Sequence, residues 1–163
     1  MPLLLRKIRK SKWYKNESVP WLQEDQIQAD ALGDLVTSSN SLSVWLVNDD
    51  QSNLEQVVVA LASTCDFVSN IDYALFKVEL LSGIGIEIEP NEGLTPYSEA
   101  NHWHRDLTRI TARKLIKLAE LIYTDAQRMR IPEKKVLGLI KDAVKNKQID
   151  IVDLQENIAK KVR

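Results

Sequence analysis

Cysteine is nearly missing from this 163-residue chain. Cys65 is the single example, which excludes an internal disulfide and any zinc site built from several thiolates. Glycine and proline occur five times each, too seldom for a collagen-like or low-complexity chain. So few glycines also leave little from which to build a phosphate-cradling loop. Gly83-Ile84-Gly85-Ile86 lacks the third glycine and following helix of a dinucleotide fingerprint, and no Gly-Lys-Ser/Thr phosphate loop occurs. No stretch approaches the ~18 consecutive apolar residues of a membrane span. At the N-terminus three leucines precede Arg6, whereas a secretory signal places its charge before ~7–15 apolar residues. A cytosolic protein without membrane contact is therefore expected. Its small size and plain composition fit a bacterial source.

Apolar residues make up 44% of the chain and charged residues 28%, the balance of an ordinary globular domain. The formal net charge of −1 conceals a strong segregation. Residues 1–15 carry Arg6, Lys7, Arg9, Lys10, Lys12 and Lys15 and no acid, a charge of +6. Residues 16–101 hold fifteen acids and one base, Lys77, a charge of −14. Residues 102–163 hold fifteen bases and eight acids, a charge of +7. Such a division marks interaction surfaces if the poles stay apart in the fold. The alternative is that basic ends fold back over the acidic middle and neutralise it.

Three parts follow from this pattern within one domain: a basic arm (1–15), an α/β body (16–96) and a helical C-terminal part (97–163). Gln26 to Val36 carries Ile27, Ala31, Leu32 and Leu35 at helical spacing. Leu42 to Val47 is rich in β-branched and aromatic residues and stops at Asn48-Asp49-Asp50, the pattern of a strand. A helix follows, capped by Ser52 or Asn53, with Leu54, Val57, Val58, Leu61 and Ala62 on one face. Ile71 to Phe76 is a second strand. Glu79 to Ser82 is a helical turn, and Ile84, Ile86 and Ile88 alternate as a third strand. Pro90 to Pro96 is a loop. From Tyr97 to Arg130 a broad apolar stripe, Ala100 to Ala126, predicts one long helix. Pro132 then opens a second helix and Ile151 to Val162 forms a third. The expected fold is α+β: a small β-sheet over about 42–89 packed with helices, then a three-helix C-terminal part, with helix exceeding strand. The C-terminal amphipathic helices can be buried within the chain or pair with a second copy as a homodimer.

No motif singles out a reaction. The two histidines sit in Glu99-Ala100-Asn101-His102-Trp103-His104-Arg105-Asp106. On a helix, Glu99, His102 and Asp106 would share a face at three- and four-residue spacing, and His104 would join if the stretch were extended. A metal-dependent enzyme centred on these four residues is one reading, but only half of a di-iron carboxylate pattern is present. His102 also has the neighbours of a general base, yet no nucleophile carries a local signature. No cofactor is expected. Cys65, with no adjacent base, is expected to be a small core residue.

The leading expectation is a non-catalytic protein–protein interaction module, an adaptor, immunity-type or accessory protein, acting through its segregated acidic and basic surfaces on an unidentified protein partner. Glu87, Glu89 and Glu92 form the acidic candidate surface, and Trp13 and Trp21 an aromatic one. The alternative is nucleic-acid binding through Arg6, Lys7, Arg9, Lys10 and Lys12, with Trp13 and Tyr14 to stack on bases. A C-terminal helix-turn-helix is disfavoured, because Asp153 and Glu156 would face the phosphates near the start of its recognition helix.

Overall fold

The computed structural model describes residues 1–14, 19–23 and 25–163; Lys15 of the basic arm lies outside them. Six strands form one antiparallel sheet: β1 (Leu3–Ile8), β2 (Leu42–Val47), β3 (Ile71–Lys77), β4 (Glu87–Pro90), β5 (His104–Thr108) and β6 (Gln127–Ile131). Their order is β4-β5-β2-β1-β3-β6. Among the described residues four α-helices accompany them: α1 (Leu54–Ser63), α2 (Ala112–Asp125), α3 (Glu133–Lys145) and α4 (Glu156–Val162). The α+β class and the excess of helix over strand agree with the sequence pattern. Among the described residues no helix is long and apolar enough to cross a membrane.

The leucine run at the N-terminus is the centre of the sheet. β1 pairs antiparallel with β2 on one side and β3 on the other. A strand covered on both faces reads as a continuous apolar run rather than an alternating one. Leu5 joins one core cluster, with α1, α3 and α4, and Leu3 packs against it. Leu4 and Ile8 join the other, with α2 and the short 3₁₀ segments Ala29–Asp34 and Val78–Ile84. The result is a helix/sheet/helix sandwich. The sheet therefore reaches well beyond residues 42–89, and residues 3–8 are not a free arm.

The second departure is the segment 97–130. It is not one helix but a 3₁₀ turn (Ser98–Trp103), β5, α2 and β6. No glycine or proline interrupts it, so one helical period could be drawn through all of it. The buried residues belong to different elements: Ala100 to the turn, Leu107 to β5, and Leu118, Leu121 and Ile122 to α2. Arg109 turns the chain with a left-handed backbone, φ 56°. Thr111 then caps α2, its hydroxyl accepting from the Lys114 amide at 3.3 Å. The C-terminal part keeps three α-helices but lends two strands to the sheet. The buried faces of α2, α3 and α4 all lie within the two core clusters of this chain.

Smaller differences are local. The predicted helix at 26–36 is a 3₁₀ segment, Ala29–Asp34. The strand expected from Ile84 begins at Glu87, because Val78–Ile84 is 3₁₀ and ends at Gly85, whose φ of 66° favours glycine.

Candidate functional site

The strand register brings together two groups that lie apart in the sequence. β4 pairs with β5 so that Glu87 lies opposite Thr108 and Glu89 opposite Asp106. β5 pairs with β2 so that Asp106 lies opposite Ser43 and His104 opposite Trp45. Because side chains alternate across a strand, Glu87, Glu89, Asp106, Thr108, Ser43 and His104 share one face. The alternate residues Leu107, Val44 and Leu42 point into the core on the other side.

Hydrogen bonds hold this face in place. Thr108 Oγ1 donates to Glu89 Oε1 at 3.0 Å. Asn91 Nδ2 donates to Asp106 Oδ2 at 2.6 Å, and Ser43 Oγ to Asp106 Oδ1 at 3.4 Å. His104 Nδ1 donates to the Asn91 carbonyl at 2.7 Å, which puts the proton of the neutral ring on that nitrogen. Its ring stands edge-on to Trp45, centroids 5.2 Å apart. Glu87 pairs with Arg109 at 2.9 Å. Glu89 and Asp106 have no ion-pair partner among the described residues. Like charges directly opposite each other destabilise a strand pair, so the two carboxylates work against the fold.

Glu92 is exposed in the loop after β4, next to Asn91. That loop is pinned. Asn101, itself buried, accepts from the Thr95 amide (3.1 Å) and the Thr95 hydroxyl (2.7 Å), and its carbonyl accepts from the Gly93 amide at 2.9 Å. A Cβ at Gly93 would sit 3.0 Å from Asn101 Oδ1 and 3.1 Å from the Trp45 ring, so only glycine passes there without displacement. The same loop holds Leu94 97% exposed, an apolar side chain on an anchored tip.

The metal constellation does not assemble. Helical spacing would put Glu99, His102 and Asp106 on one face, with His104 joining only in an extended stretch, but the backbone there is 3₁₀ up to Trp103 and strand from His104. Glu99 accepts from Gln148 Nε2 at 2.8 Å and from the Tyr97 hydroxyl at 3.3 Å. Burial, reinforced by Glu99, pushes the Tyr97 hydroxyl above its ordinary pKa. His102 is exposed and packs on Trp103. Only His104 and Asp106 share the acidic face, and no group of three potential ligands forms among the described residues.

The basic candidate residues mostly have internal partners. Arg6 Nε and Nη2 donate to the Asp34 carbonyl at 3.0 and 2.7 Å, and Nη1 to the Ser43 carbonyl at 2.8 Å. Burial holds the Arg6 guanidinium below its ordinary pKa, against the pull of Asp34. Lys12 pairs with Asp34 at 3.5 Å. Lys7 Nζ donates to Cys65 Sγ at 3.2 Å, and Cys65 is half-buried rather than a core residue. Lys10 lies over the Tyr14 ring at 5.5 Å. Only Arg9 presents its side chain to solvent without such a contact among the described residues.

Trp13 is a core residue, 1% exposed, whose indole Nε1 donates to Asp34 Oδ2 at 2.9 Å. It cannot form part of a docking surface. Trp21 can: it is 70% exposed and lines an open groove of about 570 Å³ against α2. Sequence reasoning singled out Trp21 but missed its counterpart, Ile116 on α2, because the period drawn through 97–130 was not that of α2 itself. The chain matches no protein-family model, no curated protein and no solved structure.

Proposed function

We propose that this protein is a non-catalytic interaction module, an adaptor, immunity-type or accessory protein, whose acidic sheet face docks a basic surface of a protein partner. The observation that carries this reading is the register of Glu89 against Asp106. Two carboxylates are held opposite each other, fixed by neutral hydrogen bonds and, among the described residues, without an ion-pair partner. A basic partner would relieve a repulsion that folding alone leaves in place, and would be steered by the field of that face. Exposed Glu92 extends the same charge, Glu87 beside it is shared with Arg109, and Leu94 supplies an apolar contact on a pinned loop. The elements are those of an interface with a polar rim and a small apolar anchor.

The test begins with affinity capture and mass spectrometry, followed by titration of the purified captured protein at low and high salt. The triple variant Glu87→Lys, Glu89→Lys, Glu92→Lys should lose about tenfold or more in affinity. Its melting temperature should stay close to that of the parent, because all three residues are exposed. The parent's affinity should fall steeply with salt. An affinity indifferent to both the charge reversal and salt removes this face from the protein's function.

A further inference from the structure

We infer that the groove that Trp21, Leu22 and residues 25–32 form against α2 is a docking site for a short segment of a partner protein bearing a bulky apolar side chain flanked by Lys or Arg. Trp21 and Ile116 face the groove from its two walls, and both are large apolar side chains more than half exposed. Single exposed apolar residues are ordinary, but two lining one concave surface mark a binding site. Among the described residues the charges in the lining are Asp25 and Glu120, and neither carboxylate has an ion-pair partner there. Among the described residues no lysine or arginine lines the groove, so its electrostatic complement is cationic. The polar side chains beside them are already engaged. Gln28 Nε2 donates to the Tyr14 carbonyl at 2.6 Å, and Gln26 Oε1 accepts from the Gln23 amide at 3.1 Å. What the groove offers a ligand is therefore an apolar slot with two free carboxylates, the arrangement that reads anchor-plus-base peptides.

This site is independent of the acidic sheet face. α2 and the Ala29–Asp34 segment pack on the opposite side of the sheet from Glu89 and Asp106. The two can fail separately.

The test uses the full-length protein and a random peptide library displayed on phage. Enriched peptides should pair an aromatic or large aliphatic residue with Lys or Arg within a few positions. A fluorescein-labelled peptide from that set, read by anisotropy, should bind the Ile116→Glu and Trp21→Ala variants about tenfold more weakly. Glu120→Lys should weaken it about threefold and flatten its salt dependence. Glu87→Lys with Glu89→Lys should leave peptide binding unchanged. Both groove side chains are exposed, so the variants should melt with the parent, which separates lost docking from lost folding. Enrichment of acidic peptides, no enrichment, or equal binding by Ile116→Glu overturns the proposal. So does displacement of a small apolar dye from the groove by no peptide, which would make it a small-molecule pocket.

Discussion

Two charged regions of this molecule began as equals in the sequence and ended with opposite fates. The segment from Arg6 to Trp13 holds five bases and no acid, and the β4–β5 region, residues 87–108, holds five acids and one base. In the fold the basic segment is tied into the body, with Ile8 and Trp13 buried and Lys7 and Arg9 exposed. Its strand lies between β2 and β3, and Asp34 gathers its polar groups. The Asp34 carboxylate accepts from the Arg9 amide at 2.7 Å and from the Trp13 indole, and faces Lys12, while its carbonyl takes two bonds from Arg6. The acidic region lies at the sheet edge, where Arg109 pairs with Glu87, while hydroxyls and an amide fix Glu89 and Asp106 without neutralising them. Charge counted along a chain therefore says little about charge presented to a partner. Position in the sheet decides which charges are compensated. The ion pairs Lys12–Asp34, Arg109–Glu87, Arg130–Asp72 and Lys135–Glu55 all join the basic ends to the acidic middle. These pairs neutralise part of the segregation within the molecule, and Glu89 and Asp106 lie outside them.

The contrast can be broken most severely at its buried side. Trp13→Ala removes a fully buried indole and should destabilise the protein by about 3–5 kcal/mol, measured by urea unfolding. Asp34→Ala comes next. It leaves the Trp13 indole, the Arg9 amide and Lys12 without their acceptor, and a loss of about 3 kcal/mol is expected. Calorimetry in which this variant melts with the parent would show that the basic segment is not held as described.

Asp72 offers a pH-dependent version of the same test. Arg130 grips it through Nε at 2.6 Å and Nη2 at 3.0 Å, the Lys10 amide adds a bond at 2.9 Å, and partial burial only in part opposes them. The Arg130 hydrogen bond is the largest influence, and the Asp72 carboxyl is held below its ordinary pKa. A carboxylate with a lowered folded-state pKa contributes stability that is complete above the ordinary carboxylate range and disappears as pH falls through the lowered value. Unfolding free energies of the parent and Asp72→Asn should therefore differ at neutral pH and converge in strong acid. A constant gap would contradict the pairing.

The smallest effect lies on the exposed side and has the opposite sign. Glu89→Gln keeps an acceptor for Thr108 and removes the charge facing Asp106. It should stabilise the protein by a few tenths of a kcal/mol, a rise of about 1 °C in melting temperature. It should also weaken the proposed partner. A variant that is more stable yet binds less well is the signature of a surface kept for recognition.

Much of the architecture was legible because it depends on local pattern. Leu42–Val47 is a strand over the residues its composition marks, bounded by Asn48-Asp49-Asp50. α1 begins after Asn53, although that side chain does not cap the helix. It accepts from the Asn48 amide at 2.8 Å and donates to the Leu46 carbonyl at 3.1 Å, tying helix to strand. Pro132 marks the start of α3. The segment 97–130 was misread because apolar spacing without a breaker cannot distinguish one helix from a strand, a helix and a strand in series. Thr111, ahead of α2, was the available clue. The candidate acidic face was half legible: Glu87, Glu89 and Glu92 came from their clustering. Asp106 was assigned to a metal group on a helical spacing that a strand does not have.

By itself the amino-acid order determined what local sterics and side-chain chemistry control: the α+β class, most element boundaries in the middle of the chain, and the lack of a thiolate cluster or glycine loop. Tertiary structure decided which way each ambiguous segment went. The run Leu3-Leu4-Leu5 became the central strand because two separate cores, one on each face, were there to cover it. Trp13 went inside because Asp34, twenty-one residues away, accepts its N–H. Glu89 met Asp106 because strand pairing sets register between residues that share no local pattern, and register alone placed two negative charges side by side in water.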